Sequence, residues 1–241
     1  LLFLRKKEME VHKPKFVKGF FLEIIVIVIG ISLAIGAERW VEHARETKEA
    51  KRVMTRMIAE LARDSSDLEF NINYVSQAAV SDSLLTRWSQ GNLELENDSI
   101  TVHANNSLLS TYFASNTAEV EALKGSGKLH LIENEELLSK LLKHYDRYAD
   151  FEIYRGWAER FTLELMDMYK RNSSLTTQGF FQQPTYQFNG AELSKGLRGN
   201  QLFENTLQQK KLIDLFIVSR TKVALKRATM LLSELRQEVS K

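Results

Sequence analysis

The chain has 241 residues, of which 44% are apolar and 27% charged, with a formal net charge of +2 and no cysteine. Collagen-like, disulfide-scaffolded and wholly disordered classes are thereby excluded, together with thiolate metal sites and cysteine nucleophiles. Two prolines and eleven glycines leave few places to break a helix, so the composition predicts an all-α protein.

Residues 1–18 hold six basic side chains, Arg5, Lys6, Lys7, Lys13, Lys15 and Lys18, against Glu8 and Glu10. The remaining chain is slightly acidic. A nucleic-acid interface would need the opposite concentration, with its basic side chains in the folded body, so nucleic acid is not an expected partner.

Gly19 to Ala37, GFFLEIIVIVIGISLAIGA, follows directly, and its single charge is Glu23. At about 1.5 Å per residue these nineteen residues reach roughly 28 Å, close to the hydrocarbon thickness of a bilayer. Its β-branched residues would suit a strand, but strands usually stop after 4–8 residues. A spanning helix is predicted, with the lipid bilayer as the first partner. The basic stretch, apolar run and Ala34-x-Gly36 also fit a cleavable signal peptide. The uncleaved anchor is the reading adopted here, and a start at Leu1 rather than Met leaves room for residues upstream.

Six Lys and Arg precede the span, and five follow it closely: Arg39, Arg45, Lys48, Lys51 and Arg52. The positive-inside rule leans towards a cytoplasmic N-terminus, and large domains translocate despite their charge. The expected layout is a basic cytoplasmic tail over 1–18, a transmembrane helix over 19–37 and a helical periplasmic body over 38–241. The membrane would be the bacterial inner membrane.

Within the span, Gly30, Ala34 and Ala37 share one helix face, and Ser32 with Gly36 forms a second small pair. Small side chains let helix backbones approach closely, which predicts an association face for a second copy or for other membrane subunits. Glu23 is an ionisable group about one turn inside the apolar run, with Lys18, Phe20 and Trp40 as interface anchors. It either snorkels to the headgroups or forms a carboxylate contact inside an oligomer.

From Met54 the chain steps by three and four through Ile58, Leu61, Ser65, Leu68, Ile72 and Val75 to Ala79, amid charged neighbours. This amphipathic pattern, with no Pro or Gly between Ala37 and Gln90, predicts a helix running on from the span. Its stripe is expected to pack on later helices of the same chain rather than as a coiled coil between copies.

Residues 91–106 read as a connection with a short strand at Ser99–His103. Ser107–Lys124 reads as a helix interrupted near Asn116, closed by a break at Gly125-Ser126-Gly127. Asn134 is placed to cap a helix lasting to Arg171, with apolar Leu137, Leu138, Leu141, Leu142, Tyr145, Tyr148, Ile153, Trp157, Phe161, Leu165 and Met168. Asn172–Gly199 reads as irregular, with Phe180, Phe181, Tyr186 and Phe188 packing on the bundle. Asn200–Lys241 reads as a final helix, apolar at Leu207, Leu212, Leu215, Phe216, Val223, Leu231 and Leu235. Its Arg220, Lys222, Lys226, Arg227 and Arg236 read as a solvated face. The body is thus a bundle of about four helices.

No constellation points to catalysis. Gly125-Ser126-Gly127-Lys128 imitates a phosphate loop, but Ala122 stands where that motif needs glycine and Leu129 where it needs a hydroxyl. The histidines His12, His43, His103, His130 and His144 lack metal-ligand spacing, and Asp146/Asp150 and Glu133/Glu136 are ordinary solvated spacings. A non-enzymatic protein without metal or cofactor is expected.

Leu22-Glu23-Ile24 through Val28-Ile29-Gly30-Ile31-Ser32-Leu33-Ala34, with Trp40 after the span, resembles the opening of a bacterial family of uncharacterised single-pass membrane proteins. Leu123-Lys124-x-Ser126-Gly127-Lys128-Leu129-x-Leu131-Ile132-x-Asn134-x-Glu136-Leu137, followed by Tyr145, is a second match to it. The two cover roughly 15–150. Ala37-Glu38-Arg39 replaces the Asn-rich step that members often carry. The resemblance implies the anchor-plus-helical-body plan and Glu23 as a family feature, and it carries no activity. Three functions remain open: an assembly protein on a cell-envelope complex, a sensory or ligand-binding bundle relaying through a partner, and an ion pathway built from a ring of spans.

Overall fold

The computed structural model describes residues 15–111, 113–178 and 185–240, with side chains from residue 20 onward except at 175–178, 185 and 186. These residues form α1 (Lys15–Ser89), α2 (Asn97–Ser107), α3 (Ala118–Ser126), α4 (Glu135–Asp146), α5 (Asp150–Asn172), α6 (Gly190–Leu197) and α7 (Gln201–Val239). An antiparallel hairpin of β1 (Leu175–Gln178) and β2 (Thr185–Phe188) pairs Leu175 with Phe188. The protein is all-α: among the described residues α1, α5 and α7 are long, at 75, 23 and 39 residues, the other four helices have 8–12, and the β element is minimal. The chain divides into two units, 1–50 and 51–241.

In the first unit, an 18-residue window has a mean hydropathy of 2.6, and none of it is buried within the protein. It is long and apolar enough to cross a membrane.

The second unit is a helical body whose core follows from the stripe of α1. Met54, Leu61, Leu68, Val75 and Ala79 are buried, and Ile58, Ser65 and Ile72 half-buried. The stripe is therefore covered by the chain's own later elements, as its flanking helices led us to expect. Truncating a fully enclosed residue such as Leu61 or Leu68 to alanine would cost about 2–5 kcal/mol. Val75 packs with Ala158 of α5 and Ile217 and Val218 of α7 in the middle of the body. At one end, Leu85 and Trp88 join Ile100, Leu165, Tyr169, Phe188, Leu193 and Phe203.

Asparagine side chains cap α4, α6 and α7. Asn134 accepts the Leu137 N–H at 3.0 Å, opening α4, and Asn200 accepts the Phe203 N–H at 3.1 Å, opening α7. Gly127, at φ +69°, closes α3, and the Lys128 N–H returns to the Leu123 carbonyl at 3.0 Å. That left-handed cap requires glycine and accounts for the Gly-Ser-Gly-Lys sequence without any phosphate.

Several expectations are corrected. Ser99–His103 lies in α2: Ile100, Ala104 and Ser107 are buried at steps of four and three while Val102 is exposed, whereas a strand would put Val102 on the same face as Ile100 and Ala104. Helix is confined to 118–126 within Ser107–Lys124. The described residues of Leu108–Thr117 are non-helical, and their polar groups bond to α1 instead. The Asn116 N–H and side-chain amide donate to Asp64 Oδ1 at 2.9 and 2.7 Å, and Thr111 donates to Asn71 at 3.0 Å. The helix from Asn134 is interrupted by a 3-10 turn at Arg147–Ala149. Asn172–Gly199 contains the hairpin and α6, and Asn189 caps α6 through the Ala191 and Glu192 N–H groups. Phe188 is buried against Tyr169, whereas Phe180 and Phe181 lie outside the described residues and the Tyr186 side chain is not described. Leu212, Leu215 and Val223 of α7, with Ile153 and Trp157 of α5, are exposed. The buried row of α7 instead runs through Phe203, Leu207, Ile217, Ala224, Ala228, Leu231 and Leu235.

Candidate functional site

All the membrane-site residues lie on α1. Glu23, Gly30, Ala34 and Ala37 are exposed, and a Cβ added at Gly30 would meet nothing within 4 Å. The face is sterically open to close approach. Phe20 packs edge-on to Phe21 with ring centres 6.4 Å apart, and Trp40 is exposed. Lys18 is helical in its backbone, and its side chain lies outside the described ones. The Ser32 hydroxyl donates to the Val28 carbonyl at 2.7 Å, one turn back, so this polar group is satisfied within its own helix.

In the body, helix packing assembles two charged clusters that sequence reasoning missed. The first is sealed. Lys210 Nζ lies 2.6 Å from Asp214 Oδ2 and 3.6 Å from Asp82 Oδ2, and it donates to the Leu109 carbonyl at 3.3 Å. All three charged side chains have no exposed surface. Burial pushes Asp82 well above the usual carboxylate range, opposed by Lys210 and reinforced by Asp214; burial also raises Asp214, again opposed by Lys210. One cation thus faces two enclosed carboxylates, both raised by burial. The i, i+4 spacing of Lys210 and Asp214 was visible in the sequence. So was the continuation of the α1 stripe, by three and four, from Ala79 through Asp82 to Thr86.

The second cluster is open. A cleft of about 310 Å³ lies between the α4–α5 junction and α7, and three arginines line it: Arg147, Arg220 and Arg227. Arg220 and Arg227 are seven apart, so they share one face of α7 on either side of buried Ala224. The solvated face expected on this helix holds for Arg220, Lys222, Lys226 and Arg236, which are exposed; Arg227 alone is half-buried, and with Arg220 and the exposed Arg147 of the 3-10 turn it lines one cleft. Arg220 stacks over Phe216 at 5.0 Å, and Arg227 is half-buried. No carboxylate lies within 4.0 Å of any of the three guanidinium groups among the described residues. Burial, then the charges of Arg147 and Arg220, press Arg227 below the usual arginine range. Asp150 is the one carboxylate in the lining, and Phe151 and Tyr154 form an aromatic wall.

Behind this cleft the His144 ring nitrogen Nε2 lies 2.7 Å from the Tyr148 hydroxyl. Burial, with Arg227 and Arg147 nearby, pushes His144 down to about 4, so the imidazole is neutral at pH 7. Tyr148 in turn lies against Asp64, whose carboxyl is raised by burial and held down by the Asn116 hydrogen bonds. No group of three or more His, Asp or Glu placed to hold a metal occurs among the described residues.

Comparison of the chain with protein-family models, with curated proteins and with solved structures gives no match.

Proposed function

We propose that this chain is a non-enzymatic, membrane-anchored assembly protein. It sits in the bacterial inner membrane with its N-terminus cytoplasmic and its helical body in the periplasm. There it oligomerises, or docks as an accessory subunit on a cell-envelope complex. The carrying observation is the apolar helix segment of the first unit, which the protein itself leaves wholly uncovered. Such a surface is stable only in lipid or against another apolar surface. The Gly30, Ala34 and Ala37 face supplies the place of closest helix approach, and Glu23 reaches the headgroup region. The exposed Trp157, Leu163, Leu212 and Leu215 give the body apolar surface for docking. Asp82 and Asp214 are enclosed with Lys210, so no substrate reaches them.

The test is the mass and subunit composition of the full chain purified from its native membrane in mild detergent. A homo-oligomer or a reproducible complex with other membrane subunits is expected; a lone monomer would overturn the proposal.

A second reading, an extracytoplasmic ligand-binding bundle, is favoured by one observation, the unpaired arginines of the cleft. The ion pathway is disfavoured by the Ser32 hydroxyl, which is committed to its own helix.

A further inference from the structure

We propose that the cleft lined by Arg147, Arg220 and Arg227 is a binding site for a phosphate monoester. Guanidinium groups in a folded protein are normally paired with carboxylates or spread into solvent, because like charges side by side repel. Here three from two elements line one cavity, Arg227 half-buried and Arg147 and Arg220 exposed, with no carboxylate within 4.0 Å among the described residues. Asp150 alone offsets them in the lining, leaving two positive charges in excess. A phosphate monoester near neutral pH carries up to two negative charges and three oxygens, which suit forked N–H donors.

The surroundings add to the fit. Stacking on Phe216 orients Arg220 before any ligand arrives, and buried Val218 and Ala224 hold the α7 backbone against the body. Phe151 and Tyr154, with Phe151 edge-on to Tyr148 and Tyr154 edge-on to Phe216, offer a rigid apolar wall for the ester's organic part. At about 310 Å³ the cleft lies at the small end of the range for small-molecule sites. The site is independent of the anchor and of any assembly role.

The experiment uses the full chain in an uncharged sugar-headgroup detergent, titrated with inorganic phosphate and with phenyl phosphate. Thermal unfolding and calorimetry are followed at fixed ionic strength. Saturable binding of both is expected, tighter for phenyl phosphate. Arg147→Gln and Arg227→Gln should each weaken binding by about tenfold or more, the loss of one charge-assisted hydrogen bond. Both variants should unfold no earlier than wild type without phosphate, since each removes a repulsion; a merely structural arginine would lower the unfolding temperature. Arg236→Gln, on the same helix and of equal charge change, should leave binding unchanged. Absence of saturable binding, or equal losses in all three variants, would overturn the proposal. Nanodiscs of neutral lipid, with and without phosphatidic acid, identify the source. Competition by phosphatidic acid that requires Arg227 assigns a lipid-borne phosphate, and unchanged phenyl phosphate affinity assigns a soluble one.

Discussion

The Lys210 ammonium donates to Asp214 Oδ2 at 2.6 Å, and neither side chain has any surface in contact with solvent. With Asp82 of α1 on its other side and the Leu109 carbonyl above it, Lys210 ties α1, α7 and the segment between α2 and α3 at one point. Buried charges of this kind cost desolvation and repay it only as a complete set. Removing the cation should therefore be severe. Lys210→Met is expected to lose roughly 3–5 kcal/mol of stability, measured by denaturant unfolding, because Asp214 is left buried and uncompensated.

Asp82 should behave oppositely. Its carboxyl is raised by burial, so the folded state binds a proton that the unfolded chain releases near pH 4. Its contribution is fully present below that pH and is lost as pH rises towards the folded value. Asp82→Asn mimics the protonated form. The stability of the variant relative to wild type should therefore increase from pH 4 to pH 8, as read from unfolding midpoints across that range. A constant difference would mean that Asp82 is ionised in the fold.

His144 gives the reverse sign. Held down to about 4 in the folded chain, mainly by burial, it binds fewer protons than the unfolded histidine near 6.5. Stability is therefore lost as pH falls from 6.5 towards 4, by roughly 2 kcal/mol between pH 7 and pH 5. His144→Gln should flatten that part of the profile whatever its effect at neutral pH. An unchanged slope would show that the imidazole titrates normally.

Two glycines separate close packing from backbone freedom. A Cβ at Gly190 would collide with the Asn97 carbonyl group, lying 2.7 Å from its carbon and 2.9 Å from Thr101 Oγ1, where α6 meets α2. Gly190→Ala should cost about 2–3 kcal/mol, since backbone cannot yield as a side chain does. Gly156, exposed within α5, has nothing within 4 Å of such a Cβ. Gly156→Ala should stabilise by about 0.5–1 kcal/mol, and thermal unfolding would register both signs.

In the membrane segment, Gly30→Leu should weaken self-association or subunit capture by on the order of tenfold, seen as a shift to lower mass in detergent, because bulk on that face separates the helices. Glu23→Gln should leave the mass unchanged, as expected of a carboxylate that reaches the headgroups. Disassembly by Glu23→Gln would instead assign it to the association contact.

The apolar run of 19–37, the buried stripe of α1, the cap at Asn134 and the stop at Gly127 were all legible in the chain. Each rests on interactions within a few residues: hydropathy over one bilayer, a repeat of three and four, one side chain closing one turn. Where contacts joined distant segments, local reading failed. Ser99–His103 carries strand-like residues, yet the core takes Ile100, Ala104 and Ser107 and leaves Val102 exposed, which only helical spacing allows. Leu108–Thr117 gives up helix for bonds to Asp64 and Asn71. Only the fold sets Arg147 beside Arg220 and Arg227 on one cleft, and only the fold encloses Asp82, on the continued α1 stripe, with Lys210. Local chemistry determined the long helices α1, α5 and α7. Only the packing of those helices decided which charges face water and which face one another, since that depends on separations of up to 128 residues, as between Asp82 and Lys210, that no periodicity records.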